Sequence, residues 1–269
     1  MSNVVFRISA GFLAGALALL ATALYLSEHY LSEETRLAAA GDLQGALEAS
    51  RTAARLNPFS PLPLEGQSYL LQQQGLDEEA AGALREAIER DPNNYILYLL
   101  LGNLQVAKLD DLDAAEESYR KVLELNPNNT TASTALARVL IEKGDLEEAK
   151  EEYEDLREER EITNMGLYNL GRIYVRTGEP KKGYETIRLA RHKASVGLNT
   201  LKGPQRARRV QLIESMDLAL ADALVVQGDY AGAREIIADS SSPQAPALLQ
   251  LLDSNPEAYR ESVLESGIY

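Results

Sequence analysis

The chain contains no cysteine, so disulfides, thiolate metal sites and a cysteine nucleophile are all excluded. Its only two histidines, His29 and His192, are too few and too far apart in sequence to argue for a metal site or a triad. No P-loop, GxGxxG, GxSxG or HExxH pattern occurs, and spacing singles out no acid–base pair among the many carboxylates. These absences point away from an enzyme and away from any cofactor or metal. Positive charge is also scarce. The 27 Lys and Arg stand against 41 Asp and Glu, and the resulting −14 makes the protein a poor general ligand for nucleic acid. At 45% hydrophobic and 25% charged residues, the 269-residue chain has the composition of an ordered globular protein, long enough for one long or two ordinary domains.

One stretch lacks charge altogether. Ile8 to Leu26 is uncharged over 19 residues, enough for a helix to cross ~30 Å of hydrocarbon. Arg7 precedes it, and after it Glu28, Glu33 and Glu34 come before the first basic residue, Arg36. The positive-inside rule then keeps the amino terminus in the cytoplasm and puts the body outside it, as a single-pass protein of the cell membrane. The alternative is a secretory signal cleaved near Ala21-Thr-Ala23, which would export the body equally. Gly11 and Gly15 form a GxxxG pair through which two such helices could pack as a homodimer.

The rest of the chain repeats itself. Gly75-Leu-Asp-Glu-Glu-Ala80, then Ala87, then Asp91-Pro92-Asn93-Asn94 is followed by Asp110-Asp-Leu-Asp-Ala-Ala115, Val122 and Asn126-Pro127-Asn128-Asn129. Gly41, Ala46, Ala53 and Asn57-Pro58 give the same phrase one period earlier, and copies recur about every 34–35 residues, with one extra residue before Asp110. Small residues at Gly102, Ala137 and Gly171 let helices approach closely. Gly41-Asp42, Gly144-Asp145 and Gly228-Asp229 each read as a left-handed helix end followed by a capping aspartate. Asp145 with Glu148 has the spacing of a capping box, and Pro180 that of a first-turn proline.

This pattern resembles the tetratricopeptide repeat over roughly residues 27–240. The resemblance implies an all-α fold: a right-handed α-solenoid of tetratricopeptide helix pairs, preceded here by one transmembrane helix. The expected division is an anchor at 1–26, five repeat units at 27–197, a basic connector at 198–211, and at 212–269 a degenerate pair with capping helices. The cap is expected because an end unit cannot bury its outer face alone, and Ala245 to Leu252 and Glu257 to Leu264 read as its two helices.

In that family the first helices of successive units line a groove that holds a protein or peptide partner. By position, the groove here would present Tyr69, Asn103, Arg138, Asn169, Arg172 and Arg176. The Lys, Asn and Arg pattern with which one subclass grips a terminal carboxylate is not reproduced, since the second unit offers Glu65 and Tyr69 instead. Similar arrays occur as tails of bacterial polymerases and ligases for surface polysaccharides, and Leu56-Asn-Pro-Phe-Ser-Pro61 resembles that group. Without their many other membrane spans, this chain would be an accessory scaffold in envelope assembly.

Charge is distributed unevenly. Glu147 to Glu161 holds nine acidic residues and three basic ones, the pattern of a solvated helix face. Between 164 and 211, eleven Lys or Arg face only Glu179 and Glu185, a local excess of +9 that leaves −23 for the rest. Arg188, Arg191, Lys193, Lys202, Arg206, Arg208 and Arg209 form the core of this basic patch. Two readings stand open: it binds an anionic lipid or polyanion, or it compensates the acidic fourth unit.

Overall fold

A computed structural model describes residues 2–265, with side chains described from Gly11 onward except Phe12. Every regular element among these residues is helical. The chain divides into two compact units at Asn128/Asn129.

The first unit stacks three antiparallel pairs: α1 (Ser2–Ala39) with α2 (Leu43–Leu56), α3 (Leu62–Gln73) with α4 (Asp77–Arg90), and α5 (Tyr95–Leu104) with α6 (Leu112–Leu125). The alanines of the repeated phrase mark where helices cross. Ala46, Ala53, Ala80, Ala87 and Ala115 are all 0% exposed, and Leu47, Leu70, Leu84, Leu101 and Leu104 fill the space around them. Each buried leucine contributes about 1.5–3 kcal/mol by leaving water, so the stack is held by its period rather than by a single centre. The joint between pairs is sealed by Arg90. Its guanidinium donates to the carbonyl oxygens of Ala54 (3.4 Å), Asn57 (3.4 Å) and Ser60 (3.0 Å), closing the open carbonyl end of α2 and shaping the loop after it.

The extra residue of the third pair is absorbed locally. Gln105–Leu109 form a π-helical turn at the end of α5, and Asp110 then takes the left-handed position, φ +52°, that a glycine holds in the neighbouring turns. Asp111 caps α6 by accepting from Ala114 N at 3.1 Å, as Asp42 caps α2 through Gly45 N at 2.9 Å.

The second unit continues the pattern with α7 (Thr130–Lys143) and α8 (Leu146–Glu158), α9 (Asn164–Arg176) and α10 (Pro180–Ser195), and α11 (Gly203–Gln227) and α12 (Tyr230–Asp239). The chain then ends in α13 (Ala245–Ser254) and α14 (Pro256–Glu265). Gly144, at φ +90°, ends α7, and Pro180 opens α10 as expected. The capping box does not form, because the side chain of Asp145 makes no cap hydrogen bond.

One further expectation changes. The stretch 198–211, expected as a connector, is largely helical: after a short 3-10 turn at Leu198–Thr200, α11 starts at Gly203 and runs for 25 residues. Glycine and proline stand together at its start because the left-handed Gly203 (φ +55°) turns the chain into the helix and Pro204 suits the first turn. The expected transmembrane helix falls on α1. Among the described residues no helix is long and apolar enough to cross a membrane. Of the expected segment, the side chains of residues 8–10 and Phe12 lie outside those described, and Leu13 to Leu26 alone fall short of the ~20 apolar residues a span needs. α1 passes without a break from this run into the first repeat, where Ser27, buried, donates to Ala53 O at 3.0 Å.

Candidate functional site

The expected groove residues fall on first helices in both units. In the first unit, Tyr69 on α3 is 62% exposed, and Leu62 on the same helix and Ile96 and Leu100 on α5 are exposed too. Asn103 is exposed on α5, and its Oδ1 accepts from Tyr119 on α6 at 2.9 Å. Tyr119 reaches it by passing over Gly102, where a Cβ would lie 2.8 Å from the ring.

In the second unit, Arg138 is exposed on α7, and Asn169 on α9 donates to the hydroxyl of the buried Tyr153 at 3.1 Å. Arg172 and Arg176 are half-buried on α9. The Arg172 guanidinium lies 5.4 Å from the centre of the Tyr168 ring, and Arg176 donates to the carbonyl of Leu264 on α14 at 3.1 Å. Sequence reasoning missed Tyr119 and Tyr153, which orient Asn103 and Asn169. It also missed Asp222. Counting from the small crossing residues Ser68, Gly102, Ala137, Gly171 and Ala221, the next residue is Tyr69, Asn103, Arg138, Arg172 and Asp222 in turn. The repeat register therefore contained the signal.

Asp222 is the most perturbed group of this set. Burial pushes its carboxyl up to about 6, against the opposing pull of the Tyr259 hydroxyl, which donates to Oδ1 at 2.8 Å, and of Arg172. A cavity of ≈ 20 Å³, room for about one water, opens between Arg172, Val175, Arg176, Ala219, Asp222 and Val263. All the groups around it come from α9, α11 and α14.

Part of the basic patch is neutralised from within. Lys182 on α10 meets Glu154 on α8 at 2.8 Å and sits 4.0 Å from the centre of the Tyr174 ring, while Lys150 on α8 meets Glu179 at 3.5 Å. The Glu154 bond, then Tyr174, raises the Lys182 pKa. Arg188 pairs with Glu185, and Arg191 grips Asp217 on α11 with two donors. Arg209 donates to Ala194 O at 3.2 Å, closing the end of α10. Lys193, Lys202, Arg206 and Arg208 remain exposed at the end of α10 and the start of α11. Among the described residues no cluster of three or more His, Asp or Glu could hold a metal ion.

Two tetratricopeptide repeat models match the sequence, one over residues 66–130 and the other over 107–161. No curated protein matches it. Among solved structures the chain is similar to the MamA protein, at 19% identity and TM-score 0.58 over 66% of this chain and 97% of that one. It is also similar to a tetratricopeptide repeat protein from Parabacteroides merdae, at 15% identity and TM-score 0.56 over 90% and 98%. A third likeness is to YrrB, described as "a TPR protein with an unusual peptide-binding site", at 24% identity and TM-score 0.51 over 60% and 82%. At these identities the likeness is one of fold. The chain is a helical-repeat protein whose residues 66–161 match tetratricopeptide repeat models.

Proposed function

We propose that the protein is a binding scaffold for a protein or peptide partner, without catalysis of its own. The observation that carries this reading is the first-helix face of the first unit, where Leu62, Tyr69, Ile96 and Leu100 stay exposed beside the polar Asn103. Apolar anchors next to an oriented amide are what a partner segment needs for affinity and register. The peptide-binding site of YrrB supports it by analogy of fold. Replacing Tyr69 and Asn103 with alanine in the full chain is expected to remove partners recovered by crosslinking from the native host. An unchanged partner set contradicts the reading.

The scaffold is further proposed to be held at a membrane by the start of α1, with the body outside the cytoplasm and a role in envelope or surface-polysaccharide assembly. In support, Ile8 to Leu26 is uncharged in sequence, and its described side chains are exposed on all sides of the helix, Leu13, Leu19 and Tyr25 pointing three different ways. A protein groove covers one face of a helix, whereas lipid covers all of it. A Cβ at Gly11 or Gly15 would meet nothing within 4 Å, which leaves that face open to the proposed homodimer. Retention of the full chain in membranes after alkaline washing is the expected result, and release into the wash contradicts anchoring.

A second reading, binding of an anionic lipid or polyanion, is favoured by Lys193, Lys202, Arg206 and Arg208, which are exposed together at the end of α10 and the start of α11. It requires salt-sensitive binding to anionic vesicles that is lost on charge reversal at Arg206 and Arg208.

A further inference from the structure

An end cap needs to cover only the last pair of a stack. α13 does this, packing on α12, but α14 goes further and lies on both α11 and α9, the first helices of two successive pairs. It lies on the first-helix face, on which Arg172 and Asp222 share one repeat register. Arg172, Arg176 and Asp222 belong to that face, and the chain's own terminal helix answers each contact they make toward it. Tyr259 is 2% exposed and donates to Asp222, Val263 borders the cavity beside Arg172 and Arg176, and the main-chain carbonyl of Leu264 accepts from Arg176. Tyr259 and Val263 are four residues apart, so they project from one side of α14. A ten-residue helix is too short to be stable alone, so α14 is held by what it touches: the buried Tyr259 and Val263 pack onto the unit, Tyr259 and Arg176 make the bonds to Asp222 and Leu264, and Tyr230 on α12 donates to Glu257 at 2.7 Å.

We propose that the α9–α11 face is a helix-binding groove, and that α14 is its in-cis occupant, a detachable latch that keeps it closed. The class of ligand it fits is a short amphipathic helix presenting a tyrosine and, four residues later, an aliphatic side chain. The tyrosine seats on Asp222, and a carbonyl near the helix end meets Arg176. This inference uses the second unit alone and does not rest on the partner reading of the first.

The test uses the full chain and, as probe, a fluorescein-labelled peptide of residues 255–265. Tethering gives the in-cis helix an effective concentration in the millimolar range, so the wild-type chain should bind the probe weakly. Tyr259→Ala in the chain should tighten probe binding by about tenfold or more, since the competitor is weakened while the groove is untouched. Tyr259→Phe, which removes only the hydroxyl and keeps the ring, should give a smaller gain in the same direction. A probe carrying Phe in place of its tyrosine should bind the Tyr259→Ala chain more weakly than the native probe. Hydrogen exchange should show α14 opening in Tyr259→Ala while α9 and α11 keep their protection. Absence of probe binding to either variant once α14 is unprotected overturns the proposal. So does simultaneous loss of protection in α9, α11 and α14, which makes α14 part of the core. A dimer formed by exchange of α14 between copies would overturn the in-cis assignment.

Discussion

Gly171 and Gly183 face each other across the α9–α10 crossing so closely that a Cβ on Gly183 would lie 2.7 Å from the Gly171 carbonyl oxygen. The reverse substitution would put a Cβ on Gly171 3.0 Å from the Gly183 carbonyl oxygen. Since the obstacle is backbone, neither helix can yield by turning a side chain. Gly183→Ala is therefore expected to destabilise the protein by about 1–3 kcal/mol, measured by denaturant unfolding. Gly82 on α4 is the contrast. A Cβ there meets nothing within 4 Å, so Gly82→Ala should stabilise by about 0.5–1 kcal/mol through helix propensity alone.

Arg90 binds three carbonyl groups from a neighbouring pair, and its side chain is only 15% exposed. Arg90→Ala leaves those acceptors without their charged donor and should cost about 1.5–3 kcal/mol. Arg90→Lys should recover little of it, because a single ammonium cannot hold the three carbonyls and Glu86 at once as Nη1 and Nη2 of the guanidinium do. Full recovery by lysine would show that only the ion pair with Glu86 matters.

The repeat pairs, their crossings and their turns were legible because each rests on residues a few positions apart: Gly then Asp for a turn and cap, alanine every seventh residue for a crossing. Three features needed tertiary context. The 198–211 stretch looks like a connector because Gly203-Pro204 punctuates it, yet glycine and proline also start helices, and the buried residues of α11 settle the matter only once packed. The basic patch looks like a ligand site because Glu154 and Asp217, which neutralise Lys182 and Arg191, lie 28 and 26 residues away in sequence. The role of α14 was hidden for the same reason. Nothing local in Tyr259 points to Asp222, 37 residues earlier.

Asp222 also predicts a pH dependence. Burial raises its carboxyl from its ordinary value of 3.8 to about 6 in the fold, so the folded state holds this proton more tightly than the unfolded state does. The contribution to stability is fully present below about pH 4 and is lost as pH rises through about 6. Stability measured across pH 4–7 should therefore fall more steeply for the wild type than for Asp222→Asn, by an amount on the order of 2–3 kcal/mol. Parallel curves for the two proteins would show that Asp222 ionises as it does in the unfolded chain.

The central claim, that a partner docks on the first-helix face of the repeats, is tested most directly by site-specific photocrosslinking in the native host. p-Benzoylphenylalanine is placed in the full chain in place of Tyr69, on that face, or of Glu48, exposed on the second helix α2. The account predicts discrete partner adducts from position 69 that disappear when Leu100→Asp is added on α5, and none of these adducts from position 48. Adducts that form equally from both positions, or that persist with Leu100→Asp, would contradict it.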